Sequence, residues 1–494
     1  MKKLGIVLAA CLTAAVLVPY TVSAESYIYT RSGDAVPSPA VYSVKKQVEL
    51  AADGLAASSP QDVFRAESGE LYVTDTNNNR ILIFDRSLES VRSLSSFIAQ
   101  DGGTETLNAP EGVFVSGDNI LYIADTQNHR IIISDLSGNL LRIIDKPEGL
   151  TGVSEEAAFN PIKLVADSSG RIYVVARNYN LGILQLDAAG EFVGYIGAPK
   201  VQYSLIQMLW RKISTEKQLS QMEQYVPTEY NNIAIDSEDF IYGTIGTLDA
   251  DKLKAVIESK DTSGTVTPVK KLNTTGSDVL KRNGAYPPVG DLEYDDQPSR
   301  IVDAAYGRDG VYALLDVTAG HIFLYDDNGN LFGVLGGYGN EKNDFRQVSS
   351  LAFSGDDLIV LDAGAARLTV FELTAYGERL MSAVSAQFNG DFDLAYELWS
   401  GIAEQNRNFE YAFVGLGQSY MSSGKYQEAM ECFQYANDKE NYSEAKSLQR
   451  KDAMKTAFPV IFAALIGLFV LWFVFRISRR VYRYIKGYGN LDRY

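Results

Sequence analysis

The side chains able to do chemistry in this chain are few, and their types narrow that chemistry at once. There are two histidines, His129 and His321, and two cysteines, Cys11 and Cys432. Zinc takes three or four His, Cys or carboxylate ligands, and with His129 inside a turn motif such a site is close to excluded. Calcium needs only oxygen ligands. Asp62, Glu111, Asn231 and Asn232 offer them at the start of recurring strands, where Lys163 and Arg300 set cations against them. These six residues are the candidates for the rim of a central channel, and mutual pairing in a solvated rim accounts for them without a metal. No catalytic residue, resident metal or cofactor is assigned.

The elements that would position them come from an internal repeat. PQDVFRAESGELYVTDTNNNRILIFD begins at Pro60 and APEGVFVSGDNILYIADTQNHRIIISD at Ala109. A spacing of twelve separates Pro60 from Tyr72 and Pro110 from Tyr122. It returns in Pro161–Tyr173, Tyr230–Tyr242, Arg300–Tyr312 and Gln347–Ile359, which makes six units. Each reads as about four short strands, alternating β-branched and aromatic residues broken at Gly, Asn and Asp. A lone four-stranded sheet cannot cover both its faces, so radial stacking into a six-bladed propeller is the expected fold. The sixth unit offers three strands, and residues 40–50, AVYSVKKQVEL, have the composition to supply the fourth.

Asp75 with Arg80 and Asp125 with Arg130 stand in D-T-x-N-x-R loops, and Asp362 with Arg367 keeps the spacing, as does Asp316 with His321. These loops resemble those of NHL repeats over roughly residues 41–373. The pairs are expected to tie each turn by a carboxylate to guanidinium contact. NHL propellers include lactonases, amidating lyases and pure interaction domains, so the resemblance implies a fold and leaves the ligand open.

Two insertions interrupt the pattern, at 200–228 and 249–268. The first carries Leu205, Met208, Leu209 and Ile213 at helical spacing and is too apolar to be disordered. Its Trp210, Arg211 and Tyr225 are candidates for docking a partner. From Tyr376 the period becomes helical. Leu416, Gly417, Tyr420, Gly424, Tyr426, Ala429, Phe433 and Ala436 resemble the tetratricopeptide consensus, and Gly390, Phe392, Ala395 and Trp399 repeat part of it 34 residues earlier. Two such repeats and a capping helix are expected over 376–456, with Trp399 beside Ala395 a further docking candidate.

Both ends read as membrane signals. Residues 1–24 have a basic start, an apolar run and Val22-Ser23-Ala24 before the expected cut, the form of a secretory leader. Leu8-Ala9-Ala10-Cys11 resembles a lipobox, but the apolar run continues to Val18, which favours cleavage over lipidation. Ala457 to Phe475 is 19 residues without a charge, enough at ~1.5 Å per residue for a ~30 Å hydrocarbon core. The tail at 476–494 carries six Lys or Arg against Asp492, placing it in the cytoplasm and the rest of the mature chain outside. Without the +2 of Lys2 and Lys3 and the +5 of that tail, the formal charge of −17 becomes −24 for residues 25–475. Such acidity argues against nucleic acid as a ligand.

The whole arrangement resembles a group of exported NHL-propeller and tetratricopeptide membrane proteins of Gram-positive bacteria. GAPKV, Trp210-Arg211, VPTEYNNIAID, YPPVGDL and GKYQEAM carry the likeness. It implies a single-pass, membrane-anchored binding or scaffolding module outside the cytoplasm. Its partners would be saccharides or membrane and surface proteins, sugar-transport components among them. A calcium-dependent, lactonase-like hydrolase is the alternative.

Overall fold

Strands such as Leu71–Asp75, Ile172–Ala176 and Tyr312–Asp316 are buried at every residue, because each lies in a sheet covered on both faces by its neighbours. In the computed structural model, residues 26–150, 153, 156–179, 181–197, 229–246, 248–259, 266–284, 286–291, 297–341 and 343–488 are described. The leader with Cys11, the insertion at 200–228 with Trp210, Arg211 and Tyr225, and the last residues of the tail lie outside them.

The strands build a six-bladed β-propeller, every blade antiparallel and running from an inner strand outward. Blade one consists of Pro60–Arg65, Leu71–Asp75, Arg80–Phe84 and Val91–Leu94. The inner strands of the next four blades are Gly112–Val115, Pro161–Ala166, Tyr230–Ile235 and Ile301–Tyr306. Blade four has three strands among the described residues, with helix Ala250–Ser259 between its second and third. Blade six joins Val348–Ser354, Asp357–Asp362 and Arg367–Leu373 to Tyr42–Glu49, which pairs along the full outer strand from Arg367↔Glu49 to Leu373↔Tyr42.

The D-T-x-N-x-R loop is a set of staples. The Asp75 carboxylate accepts from the Ser58 amide at 2.7 Å, from Asn78 Nδ2, and from Arg80 Nε at 2.7 Å. Arg80 spends its remaining donors on the Ala52 and Leu55 carbonyls. The threonine reaches the next blade: Thr76 Oγ1 donates to the Pro110 carbonyl at 2.8 Å, and Thr126 Oγ1 to that of Pro161 at 2.7 Å. Asn79 and His129 turn the chain with φ of 56° and 59°, and Asn79 Oδ1 accepts from the Ala109 amide. One loop thus ties its own inner strand, the preceding segment and the neighbouring blade.

Five helices follow the last blade: Ala375–Phe388, Phe392–Gln405, Glu410–Ser422, Tyr426–Tyr435 and Lys439–Tyr488. By contacts the chain divides into residues 1–391 with 404–409, and residues 392–403 with 410–494. Inside the second unit Trp399 is fully buried, edge-on to Tyr411 with ring centroids 4.9 Å apart. A methyl group on Gly415 would lie 2.4 Å from the indole nitrogen. Trp399 therefore cannot offer its ring to a partner, which corrects its reading as a docking residue. Trp399→Ala is expected to destabilise this unit by about 3–5 kcal/mol in denaturant unfolding; a loss below about 1 kcal/mol would contradict its place in the core. The last helix is long and apolar enough to cross a membrane, and Arg476, Arg479, Arg480, Arg483 and Lys486 continue it past the apolar stretch.

Candidate functional site

The inner strands converge on the propeller axis, and a register shift near the start of five of them turns one residue per blade inward. The equivalent positions are Asp62, Gly112, Lys163, Asn232, Asp303 and Ser350. All four of the Asp, Asn and Ser side chains belong to buried residues. Gly112 is required where it stands, since a Cβ would come within 2.6 Å of the Ile162 carbonyl oxygen.

The ring is closed by its own bonds. The Lys163 ammonium pairs with Asp62, whose other oxygen accepts from the Val113 amide at 2.9 Å. Asp303 accepts from Asn232 Nδ2 at 2.5 Å, Ser350 Oγ at 2.6 Å, and the Ala304 and Leu351 amides at 2.7 and 2.8 Å. Burial works against the Lys163 ammonium, but Asp62 and Asp303 outweigh it and hold its pKa above the ordinary lysine value. Burial pushes the Asp303 carboxyl up to about 6; Lys163 pulls it back and Asp62 adds to the rise. A carboxyl raised in this way favours the fold while protonated and loses that contribution as pH climbs through the folded value. We therefore expect the melting temperature to fall more steeply between about pH 4 and about pH 6 in the parent than in Asp303→Asn. Parallel curves would remove Asp303 from this role.

Above the ring, toward the C-terminal ends of the inner strands, lies a cavity of about 610 Å³. Its walls are mostly apolar, with Phe64, Phe114 and Phe353 from three blades, and Lys163 and Asp303 form its floor. Tyr306, Arg308 and Asp356 stand at its lip, Arg308 Nε 2.9 Å from Asp356. Through Ser237, Tyr306, Gly307 and Arg308 the cavity continues into a groove of about 690 Å³ between blades four and five. There Lys271 lies 4.7 Å over the Phe240 ring and 3.4 Å from Asp236, and Phe388 closes one side. An apolar well with a few convergent polar groups, opening into an aromatic groove, has the size and character of a ligand site.

Of the six rim candidates, Asp62, Lys163 and Asn232 lie in the ring. The other three lie at the strand-start end of the channel. Glu111 pairs with Arg177 at 2.6 Å; Asn231 bonds the Ile301 carbonyl and accepts from Thr244; Arg300 is exposed, its backbone amide donating to Asp316. Asp62, Glu111, Asn231 and Asn232 are thus split between the ring and the strand-start end of the channel and engaged with protein partners, so they do not form one calcium cage. Asp303 and Ser350 escaped the fixed spacing, because in blades five and six Ile301 and Val348, one residue later than Arg300 and Gln347, take the place of Pro161 and Tyr230. A polar residue directly ahead of each apolar run, Asp303 in IVDAAY and Ser350 in VSSLAF, was the available signal. The turn residues Asp125, Arg130, Asp362 and Arg367 stand away from the cavity. Arg130 Nε is 2.8 Å from Asp125, and Arg367 Nη2 is 3.5 Å from Asp362, which also accepts the Gln347 amide.

The profile of the NHL repeat matches residues 58–84. No curated protein sequence matches the chain. Similar solved structures include the virginiamycin B lyase of Staphylococcus aureus, 10% identical over 67% of this chain and 100% of that one, with a TM-score of 0.41. A streptogramin B lyase is 12% identical over 68% and 100%, with a TM-score of 0.40. A structural genomics protein from Bacteroides thetaiotaomicron is 9% identical over 71% and 76%, with a TM-score of 0.39.

Proposed function

We propose that this chain is a membrane-anchored binding module whose propeller, held outside the cytoplasm, takes a saccharide or protein ligand at the axial cavity and its groove. The observation that carries the reading is the continuity of the apolar well with an aromatic, charge-lined groove on one face of the propeller. Flat rings beside paired acids and bases suit the mixed apolar and polar surface of a sugar chain or a peptide segment. The anchor is the apolar part of Lys439–Tyr488, and the arginines after it favour a cytoplasmic C-terminus. Sugar-transport components are the partners we would look for first.

The test is a photoreactive residue in place of Tyr306 in intact cells, compared with one in place of Arg300 at the other end of the channel. Capture of a glycan or a surface protein from position 306 alone supports the reading. Equal capture at both positions, or none at either, overturns it. A tag after Tyr494 should meanwhile resist protease added to intact cells while the propeller is cut; a protected propeller would reverse the orientation.

A further inference from the structure

One departure from the repeat belongs to neither the cavity nor the staples. Blade five keeps the turn aspartate, Asp316, but five residues later it has His321 where blades one, two and six have arginine. Asp316 still does the aspartate's work, accepting from the Arg300, Thr318 and Ala319 amides. His321 turns instead to Asp291, its Nδ1 2.7 Å from Oδ2. Two phenols from the hairpin strand Tyr27–Tyr29 meet the same carboxylate. Tyr27 Oη lies 2.7 and 2.8 Å from its two oxygens and Tyr29 Oη 2.6 Å from Oδ1. Tyr29 is also stacked on Tyr286 at 4.1 Å, which fixes the hairpin over blade five.

Tyr27 Oη, His321 Nδ1 and Asp291 Oδ2 form a triangle with edges of 2.7, 2.8 and 3.1 Å. A metal with bonds of about 2.0–2.1 Å, octahedrally coordinated, has ligand–ligand edges of about 2.9 Å, so one face of such a site is already drawn. Tyr29 Oη, next to the other carboxylate oxygen, extends it to a fourth donor. We propose that Tyr27, Tyr29, Asp291 and His321 form a binding site for a hard trivalent cation, of which ferric iron is the natural one.

Charge selects the class. Two phenolates and the Asp291 carboxylate carry three negative charges, and the Asp316 carboxylate, within 4.8 Å of the Asp291 and His321 donor atoms, adds a fourth beside them; with a neutral imidazole a trivalent ion then leaves one uncompensated charge and a divalent ion two in a largely buried place. Balance requires that both phenol protons leave to solvent and that the imidazole proton sit on Nε2. Two phenolate oxygens, a carboxylate oxygen and an imidazole nitrogen are hard donors of the kind that suit iron.

The experiment uses the full chain in detergent, titrated with iron supplied as its ferric nitrilotriacetate complex. A visible phenolate-to-iron charge-transfer band saturating at one equivalent, with a rise in melting temperature, is the expected result. The double variant Tyr27→Phe, Tyr29→Phe should lose the band. A parent protein with no band overturns the proposal. So does a band that persists in the folded double variant, which would place iron on other tyrosines, or a melting shift given equally by calcium or zinc. Should the double variant not fold, Asp291→Asn serves in its place with the same two outcomes.

Discussion

A chain lacking residues 25–50 is expected to lose cooperative melting of its propeller, whereas one lacking only residues 25–38 should keep it. The longer deletion removes Tyr42–Glu49, the whole outer strand of the blade that joins the end of the ring to its start. It also removes Val41, Tyr42 and Leu50, all buried. The strand's entry is tied further: Thr374 Oγ1 donates to the Ala40 carbonyl at 2.6 Å, and a Cβ on Gly377 would come within 2.0 Å of the Val41 carbonyl oxygen. Unpairing Arg367–Leu373 exposes a long, flat edge beside emptied core space. The loss should rival the total stability of about 5–15 kcal/mol that a domain has to lose. Calorimetry of both truncations decides it, and a 25–50 deletion that melts like the parent would show that blade six closes without this strand.

The second large effect is expected from Lys163→Met, which leaves the shape of the channel floor but strips the only cation from a ring that keeps two carboxylates. Asp62 and Asp303 would then share a buried site with no counter-charge. Breaking a buried pair by removing one partner costs about 3–5 kcal/mol. Asp303 is already raised with the lysine present, and without it that carboxyl should rise further. Its protonated form then favours the fold, so the deficit is largest above neutral pH and shrinks as the solution is acidified. Urea unfolding at about pH 7.5 and about pH 5 separates the outcomes. Equal stability of parent and variant at the higher pH would mean that the ring is held by its hydrogen bonds alone.

The six-bladed architecture was legible because its staples are written in sequence: an aspartate that gathers amides, a threonine that reaches the next blade and an arginine that returns to the first all need fixed neighbours. The channel floor was half legible. Asp62, Lys163 and Asn232 stand ten residues before the tyrosine of the second strand, but in blades five and six the distance to Tyr312 and Ile359 is one residue shorter, so the same count reaches Val302 and Ser349, each one short of Asp303 and Ser350. The cluster at His321 was hidden for another reason. Tyr27 and Asp291 are 264 residues apart, and no period links a hairpin near the amino terminus to a loop before blade five; only the exchange of arginine for His321 marked the place. Trp399 was misread because an aromatic side chain with a small residue four positions earlier suits a helix interface and a docking surface equally, and burial alone tells them apart.

The pairing of the first long strand with the last has a consequence for synthesis. Arg367 bonds Gln47 across 320 residues of sequence, so an amino terminus that emerges first has no partner until nearly the whole propeller has followed it. Blades one to three can form as they appear, from strands that are neighbours in the chain. The ring cannot, and through most of synthesis the leading strand and the growing edge both remain open to wrong pairing. A folding helper that holds the leading strand would have its work there, in the interval before blade six closes.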